Sequence, residues 1–275
     1  MKCMLVLASV VFVHSISAGA VPIVFEASGT NAAAIQSTVD AFRTALGSPN
    51  NGDAAGPLAG GRREINWDGG GSTDTTPPAT PFDTFRNIRG AQFTTPGTGL
   101  SQAPPSGGAA NGLVGLFGNP TYGSIFTTFS DARLFVPVGS NITDASFFIP
   151  GSNGAVAAAV SGFGAVFSDV DLADVTSMEF FDPDGNSLGA FKAPTADNGL
   201  SFLGVRFTSE LISRVRITTG NSALGPNDGG SVDVVAMDDF IYAEPQQRQR
   251  IPEPSTWLLL LTGTVGFLWR QRIRS

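Results

Sequence analysis

Acidic side chains gather at three places in the second half of the chain, where their oxygen atoms could hold a hard cation. Ca²⁺ in proteins takes about six to eight oxygen ligands, mostly from carboxylates and carbonyls. The clustering therefore suggests a calcium site, although acids that solvate turns or cap strand ends would give the same pattern. The three groups are Asp169, Asp171 and Asp174; Asp182, Asp184 and Asn186; and Asp228, Asp233, Asp238 and Asp239.

The second acidic group begins like an EF-hand loop but departs from it at two positions. Gly185 stands fourth in the run, whereas the loop needs its glycine at the sixth position, and Ala193 stands where the bidentate glutamate belongs. The run from Asp182 to Asn186 instead predicts a hairpin turn, because strand-like segments flank it on both sides.

Aromatic side chains could supply a different kind of site, a platform for carbohydrate. Sugar rings stack on an exposed aromatic plane with polar groups nearby. Trp67, which lies beside Arg63, Asn66 and Asp68, is one candidate, and Tyr122 is the other. The alternative is that these aromatic residues anchor a hydrophobic core.

The expected mature chain lacks two residue types that carry much of enzyme chemistry. Residues 1–20 have a basic start, an apolar segment and a small-residue site ending at Ala20, which together predict a secretory signal peptide. The only cysteine, Cys3, and the only histidine, His14, fall within it. Disulfides, cysteine nucleophiles, Ser-His-Asp triads and His–Cys zinc sites are then excluded. We predict a non-enzymatic protein, with a carboxylate-pair polysaccharide hydrolase as the enzymatic alternative.

The charge of the chain argues against nucleic acid as a partner. All 23 acidic residues lie between Glu26 and Glu253, against only 12 of the 16 basic ones, so this stretch carries a net charge of −11. Such a surface repels nucleic acid and anionic membranes and is compatible with divalent cations.

Hydrophobic spacing predicts a mainly β protein with one N-terminal amphipathic helix. Residues 21–81 should contain a strand, a helix that Thr30 or Asn31 caps and Gly47 ends, a second strand at 62–67 and two Gly/Pro-rich loops. Residues 82–243 break into short strands separated by turns, with no helices between them, and residues 244–250 resemble a polar linker. This pattern predicts an antiparallel two-sheet sandwich. The strands are expected near residues 82–85, 90–95, 113–117, 124–129, 132–136, 145–149, 156–167, 177–181, 188–191, 200–207, 212–218 and 232–242.

The segment from Val235 to Tyr242 resembles the last strand of the jelly-roll, concanavalin-like modules of secreted bacterial proteins. Such modules often hold a structural Ca²⁺ at a sandwich edge. The resemblance therefore implies that Asp238 and Asp239 bind calcium together with Asp169 or Asp171.

The last 25 residues combine three features in a fixed order. Pro252, Glu253 and Pro254 form a rigid elbow, an apolar run extends from Trp257 to Trp269, and three arginines follow. A helix over 257–269 would be about 20 Å long at roughly 1.5 Å per residue, which is short for a bilayer core of about 30 Å. Tryptophan at both ends and arginine after the run nevertheless suit a transmembrane segment.

This tail resembles the PEP-CTERM sorting signal of bacteria that make exopolysaccharide. In that family an exosortase, a membrane protease-transpeptidase, recognises the tail, and removal is expected near Pro252–Pro254. The resemblance implies an exported protein, anchored transiently in the membrane and then released to the cell surface or extracellular matrix. We expect a structural role in contact with exopolysaccharide, with a Ca²⁺-dependent lectin-like module as the alternative.

Overall fold

The computed structural model describes residues 21–69, 78–108, 111–209, 212–225 and 229–247. Over these ranges the fold is mainly β, and its two large antiparallel sheets form a sandwich-like arrangement. The strands are β1 (Ile23–Gly29), β2 (Arg62–Ile65), β3 (Ala91–Thr94), β4 (Gly99–Ala103), β5 (Leu134–Val138), β6 (Ile142–Phe147), β7 (Ala158–Ala159), β8 (Gly162–Val170), β9 (Ser177–Phe181), β10 (Ser187–Lys192), β11 (Ala196–Arg206), β12 (Arg214–Thr218), β13 (Ala236–Ala243) and β14 (Gln246–Gln247). The helices are α1 (Ala32–Leu46), α2 (Thr84–Ile88), α3 (Leu113–Phe117) and α4 (Tyr122–Ile125).

The larger sheet has seven strands in the order β1-β11-β8-β13-β5-β4, and β2 pairs with part of β13. The smaller sheet has five strands in the order β10-β9-β12-β6-β3, and β14 pairs with β7 as a separate ribbon. No helix in these ranges combines the length and the apolar character needed to cross a bilayer. The predicted signal peptide at 1–20 and the sorting tail at 251–275 lie outside the described residues.

Helix α1 forms as its sequence predicts. The side chain of Asn31 accepts a hydrogen bond from the backbone N–H of Ala34 at 3.2 Å, and Gly47 ends the helix with a φ of 105°. This positive φ is open to glycine but strained for residues with a Cβ atom. The buried stripe consists of Ile35, Val39, Phe42 and Leu46.

Two glycines let α1 lie directly on the larger sheet. A Cβ atom built on Gly164 or Gly204 would come within 2.7 or 2.8 Å of the Phe42 ring. Phe42 fills the space and makes edge-to-face contacts with Phe25 and Phe202, at centroid distances of 5.3 and 5.5 Å. The N-terminal segment is thus part of the main core, and the boundary expected at residue 81 does not separate it from the β-sandwich.

Trp67 lies between the two sheets at the centre of an aromatic cluster. Its ring stacks on Phe135 of the larger sheet at 3.7 Å and meets Phe93 of the smaller sheet edge-on at 5.3 Å. Phe240 approaches from β13 at 5.0 Å. Aromatic pairs at these distances contribute about 0.5–1.5 kcal/mol each beyond the area they bury, so this cluster joins the two layers.

Several sequence-based assignments differ from the structure. Residues 113–117, expected as a strand, form the short helix α3. The strand expected near 124–129 begins instead within the helix α4, at 122–125, and the one expected near 82–85 overlaps the helix α2, at 84–88. The apolar stretch 156–167 is not one strand, because Val160 bridges to Ile212 next to the smaller sheet before β8 begins. Strand β4 was not anticipated.

The hairpin predicted between β9 and β10 is confirmed. Asp182 closes its turn by accepting hydrogen bonds from the N–H groups of Asp184 and Asn186 at 2.8 and 2.9 Å.

Replacing Phe42 should test how much the α1–sheet contact stabilises the fold. We expect Phe42→Ala to lower the free energy of unfolding by about 3–5 kcal/mol, because it leaves a cavity over two glycines that cannot fill it. Urea denaturation of residues 21–247, followed by the fluorescence of Trp67, would measure the change. Ser37→Ala, on the exposed face of the same helix, should change it by less than about 0.5 kcal/mol. Equal effects of the two substitutions would contradict this role for Phe42.

Candidate functional site

Three carboxylates meet at one end of the larger sheet. One oxygen from each of Asp169, Asp171 and Asp197 can be chosen so that all three lie within 4.8 Å of one another, the only such group of three among the described residues. Asp169 is 2 % exposed, Asp171 is half-buried and Asp197 is exposed. Carboxylate oxygens at this spacing suit a hard divalent cation, and the open side of the group would let ligands reach it.

The backbone at this sheet end is shaped to bring the carboxylates together. Asp169 has a φ of 69° and Asn198 a φ of 51°, both in the left-handed region. The N–H group of Asn198 donates a hydrogen bond to Asp169 at 2.8 Å. The pairing of β11 with β8 is irregular between Ala196 and Leu200, and this irregularity places Asp197 beside Asp169.

The sequence predicted two of these three residues but missed Asp197. It is an isolated acid, 26 residues beyond Asp171, and belongs to none of the acidic clusters. Only the antiparallel pairing of β8 with β11 brings it near, so a correct strand pairing was the signal that could have found it.

Asp238 and Asp239 do not join this group, which corrects the predicted calcium ligand set. They lie where the pairing of β13 with β8 shifts between Met237 and Phe240. Asp238 accepts a hydrogen bond from the N–H of Phe129 at 2.6 Å, and Asp239 accepts one from the hydroxyl of Ser130 at 2.6 Å. Their oxygens hold the segment that precedes β5 against β13.

Burial determines the electrostatics of this aspartate pair. Burial raises the pKa of Asp238 well above the usual aspartate range, and the charge of Asp239 adds to the effect. Burial also raises the pKa of Asp239, while the hydrogen bond from Ser130 acts in the opposite direction. Arg43 of α1 lies 3.7 Å from Asp239. A carboxyl pair with raised pKa values resembles an acid–base dyad chemically, but at 0 % and 4 % exposure neither side chain is accessible to a polysaccharide.

Trp67 and Tyr122 are both fully buried, so neither offers the exposed plane that a carbohydrate platform needs. The Nε1–H group of Trp67 donates to the carbonyl of Asp238 at 3.1 Å. The hydroxyl of Tyr122 donates to the carbonyl of Gly225 and accepts from its N–H at 2.9 Å. The prediction of a carbohydrate platform at these two residues is therefore wrong. Large rings with one polar atom are well suited to a core that can satisfy that atom.

The residue that opens the predicted linker is part of the fold. Glu244 forms a buried, two-pronged ion pair with Arg63, with N–O distances of 2.7 and 2.8 Å. It also accepts hydrogen bonds from the side chain of Asn51 at 2.8 Å and from the N–H of Leu58 at 3.1 Å. Gln246 and Gln247 then pair with β7. The polar composition of residues 244–250 predicted a linker, since the sequence alone does not show that Glu244 has a buried partner in Arg63.

The raised pKa of Asp238 predicts the sign of its effect on stability. The folded state keeps the proton at pH values where the unfolded state has lost it, so this residue makes unfolding easier as pH rises from about 4 toward the folded-state pKa. We expect Asp238→Asn, which keeps an acceptor for the N–H of Phe129, to raise the melting temperature relative to wild type increasingly with pH. Melts of residues 21–247 between pH 4.5 and 8 would measure this. The exposed Asp174 supplies the control, Asp174→Asn, and a pH-independent difference for Asp238→Asn would refute the assignment.

Comparisons with known proteins bear mainly on the tail. Comparison with curated protein sequences gives no match. One solved structure, the enzymatically active domain of tailspike protein 4 from bacteriophage CBA120, aligns with 61 % of this chain and 21 % of its own, at 12 % identity and a TM-score of 0.28. This chain thus spans about a fifth of that protein, and a superposition at this score carries no conclusion about fold or function.

The family model of the PEP-CTERM protein-sorting motif matches residues 250–273. The match includes the elbow Pro252–Pro254, the apolar run and two of the three final arginines. It agrees with the resemblance found in the sequence and concerns the tail alone. The chain carries a PEP-CTERM sorting motif, which marks it as an exported protein and a substrate for an exosortase.

Proposed function

We propose that the β-sandwich body is a non-enzymatic component of the cell surface or extracellular matrix, associated with exopolysaccharide. The observation that carries the proposal is the sorting motif at 250–273, which marks an exported chain for processing by an exosortase. The sequence adds that the expected mature chain has no cysteine or histidine.

The arrangement of the body supports a structural role. The groups that might have formed an active site, the rings of Trp67 and Tyr122 and the carboxyls of Asp238 and Asp239, are buried and hydrogen-bonded within the fold. Burial of this kind fixes the fold and withholds the same atoms from a substrate.

Substitution within the elbow should uncouple export from release. We expect the triple variant Pro252→Ala, Glu253→Ala, Pro254→Ala to be exported but to keep its tail and remain in the membrane fraction. Fractionation of cells that contain the exosortase, with intact-mass measurement of the chain, would show this. Replacing Gln246 and Gln247 by Ala changes nearby residues outside the motif and should leave processing intact. Normal tail removal in the triple variant would contradict exosortase sorting through Pro252–Pro254.

A Ca²⁺-dependent, lectin-like module is the second candidate function. The specific observation in its favour is the convergence of Asp169, Asp171 and Asp197. Each contributes one carboxylate oxygen, and these three oxygens lie within 4.8 Å of one another. A bound cation would relieve the mutual repulsion of three carboxylates, and its remaining coordination positions could accept sugar hydroxyls.

Thermal stability with and without calcium would separate the two candidates. A ligand that binds only the folded state at about 100 times its Kd adds about 2.7 kcal/mol to the free energy of unfolding. For a body of this size that corresponds to a rise in melting temperature of about 5–10 °C. We expect millimolar Ca²⁺ added after EDTA to produce such a rise in residues 21–247. Asp171→Asn and Asp197→Asn should abolish it, whereas Asp174→Asn, close in sequence but outside the group, should not.

An unchanged melting temperature in millimolar Ca²⁺ would remove the lectin-like candidate and leave the structural role. A calcium-dependent rise would justify a screen of exopolysaccharides in the presence and absence of the cation. The result does not affect the sorting assignment, which depends on different residues.

A further inference from the structure

The most exposed large apolar side chains of the described residues lie together at the start of the body. Val21, Ile23 and Val24 are 74 %, 46 % and 41 % exposed. They stand at or just before the beginning of β1, and the expected signal-peptide cleavage after Ala20 would make Val21 the first residue of the mature chain. Single exposed apolar residues are common on protein surfaces. Successive strand residues point to opposite faces, so Ile23 and Val24 lie on opposite faces of β1, and with Val21 they make the beginning of this strand an apolar patch.

Strand register places this patch at the end of the larger sheet from which the C-terminal segment leaves. Ile23 pairs with Arg206, which in turn pairs with Gly162 at the start of β8. Tyr242 pairs with Phe163, one residue along β8, so the end of β13 lies in the same row. The chain then runs through Gln246 and Gln247, which pair with β7 just before β8.

The apolar run of the sorting tail begins a few residues after Gln247. Trp257, the first residue of the apolar run, is ten positions after Gln247, and ten residues span at most about 33–36 Å when fully extended. The patch and the end of β13 are separated by three strand spacings of about 4.8 Å each, or about 14 Å. With the tail in a membrane, Gln247 can lie no farther than about 33–36 Å from the first residue of the apolar run.

The residues beside Gln246 and Gln247 suit a contact with a membrane surface. The loop 53–60 has exposed Ala54, Ala55, Pro57 and Ala59, and its one charged residue, Asp53, is paired with Arg89 at 2.8 Å. Gln246 donates a hydrogen bond to the carbonyl of Leu58 at 2.6 Å and fixes this loop beside the exit.

The charges along the larger sheet favour the same orientation. Arg206 lies beside Ile23, and no carboxylate of the described residues forms an ion pair with it. Within this sheet Asp169 and Asp197 lie at the opposite end, near Gly29, and the acid of β1 nearest to the patch is the exposed Glu26, on the same face as Val24. The first row of the strand, Ile23 with Arg206, therefore carries an apolar side chain and an arginine and no acid.

We propose that Val21, Ile23 and Val24 form a membrane-contacting patch that seats the body on the lipid surface while the sorting tail is still attached. The occupant of the patch is the boundary between headgroups and acyl chains, which apolar side chains of surface-bound segments enter to a depth of about 5–10 Å. The contact rests on the proposed sorting route and on insertion of the tail.

Lipid-phase quenching at two positions on one strand would test the contact. The exported chain, purified with its tail from a host without exosortase, offers no other cysteine once the signal peptide is removed. A fluorophore on Ile23→Cys would report on the patch. The matched control is Thr30→Cys, also exposed, just beyond the other end of β1 and about 23 Å away. Both chains are reconstituted into phosphatidylethanolamine–phosphatidylglycerol vesicles with and without nitroxide-labelled acyl chains.

We expect quenching at position 23 and none at position 30, and we expect it to persist in high salt because the contact is apolar. Val21→Ser with Val24→Ser should reduce the quenching at position 23. Flotation will show whether the chain is bound to the vesicles. If it is bound, but quenching is equal at both positions or absent at position 23, the membrane-contacting patch is overturned and tail insertion is not. Chain that fails to float would overturn both.

A second copy of the chain is the competing occupant of the patch. Concentration-dependent dimers of residues 21–247 in light scattering, abolished by Val21→Ser with Val24→Ser, would assign the patch to self-association and overturn the lipid contact. Monomers at all concentrations would support the lipid assignment.

Discussion

The indole ring of Trp67 is the contact on which both the core and the buried aspartate pair depend. Its face stacks on Phe135, its edges meet Phe93 and Phe240, and it thereby joins the two sheets. Its Nε1–H donates to the carbonyl of Asp238, where β13 departs from regular pairing with β8. The irregular register turns Asp238 and Asp239 toward Phe129 and Ser130. One side chain therefore supports the packing of the two layers and the position of the two acids.

The ion pair of Arg63 and Glu244 has a different role from that of the aromatic cluster. Burying two charges costs several kcal/mol of hydration per ion, so a buried pair is not in itself evidence of high stability. It does specify geometry, because Glu244 accepts from Arg63, Asn51 and Leu58 at once. Removing either partner would leave a buried charge without compensation, at a cost of about 3–5 kcal/mol. The pair thus fixes where the chain leaves the sandwich on its way to the sorting motif.

Local sequence patterns predicted the parts of this fold that local physics determines. The cap at Asn31, the buried stripe of α1 and the turn closed by Asp182 all depend on residues a few positions apart. The mainly β class followed from alternating residues and turn signals. Contacts between distant residues were not predictable in this way. Asp197 joins Asp169 only through strand pairing, and Glu244 appeared to belong to a linker because its partner is 181 positions away. Trp67 and Tyr122 were misassigned since an aromatic residue beside polar neighbours has the same local sequence whether it faces a sugar or a core.

The placement of the chain ends connects the fold to sorting. An exosortase acts at the membrane, so the motif at 250–273 is the segment of the chain that it must reach. Strand β14, at Gln246–Gln247, lies three positions before the first residue of the motif. Glu244 directly follows β13, and its buried contacts with Arg63, Asn51 and Leu58 hold the chain in place there. The ion pair of Arg63 and Glu244 thus lies between the last strand of the larger sheet and the sorting motif in the order of the chain.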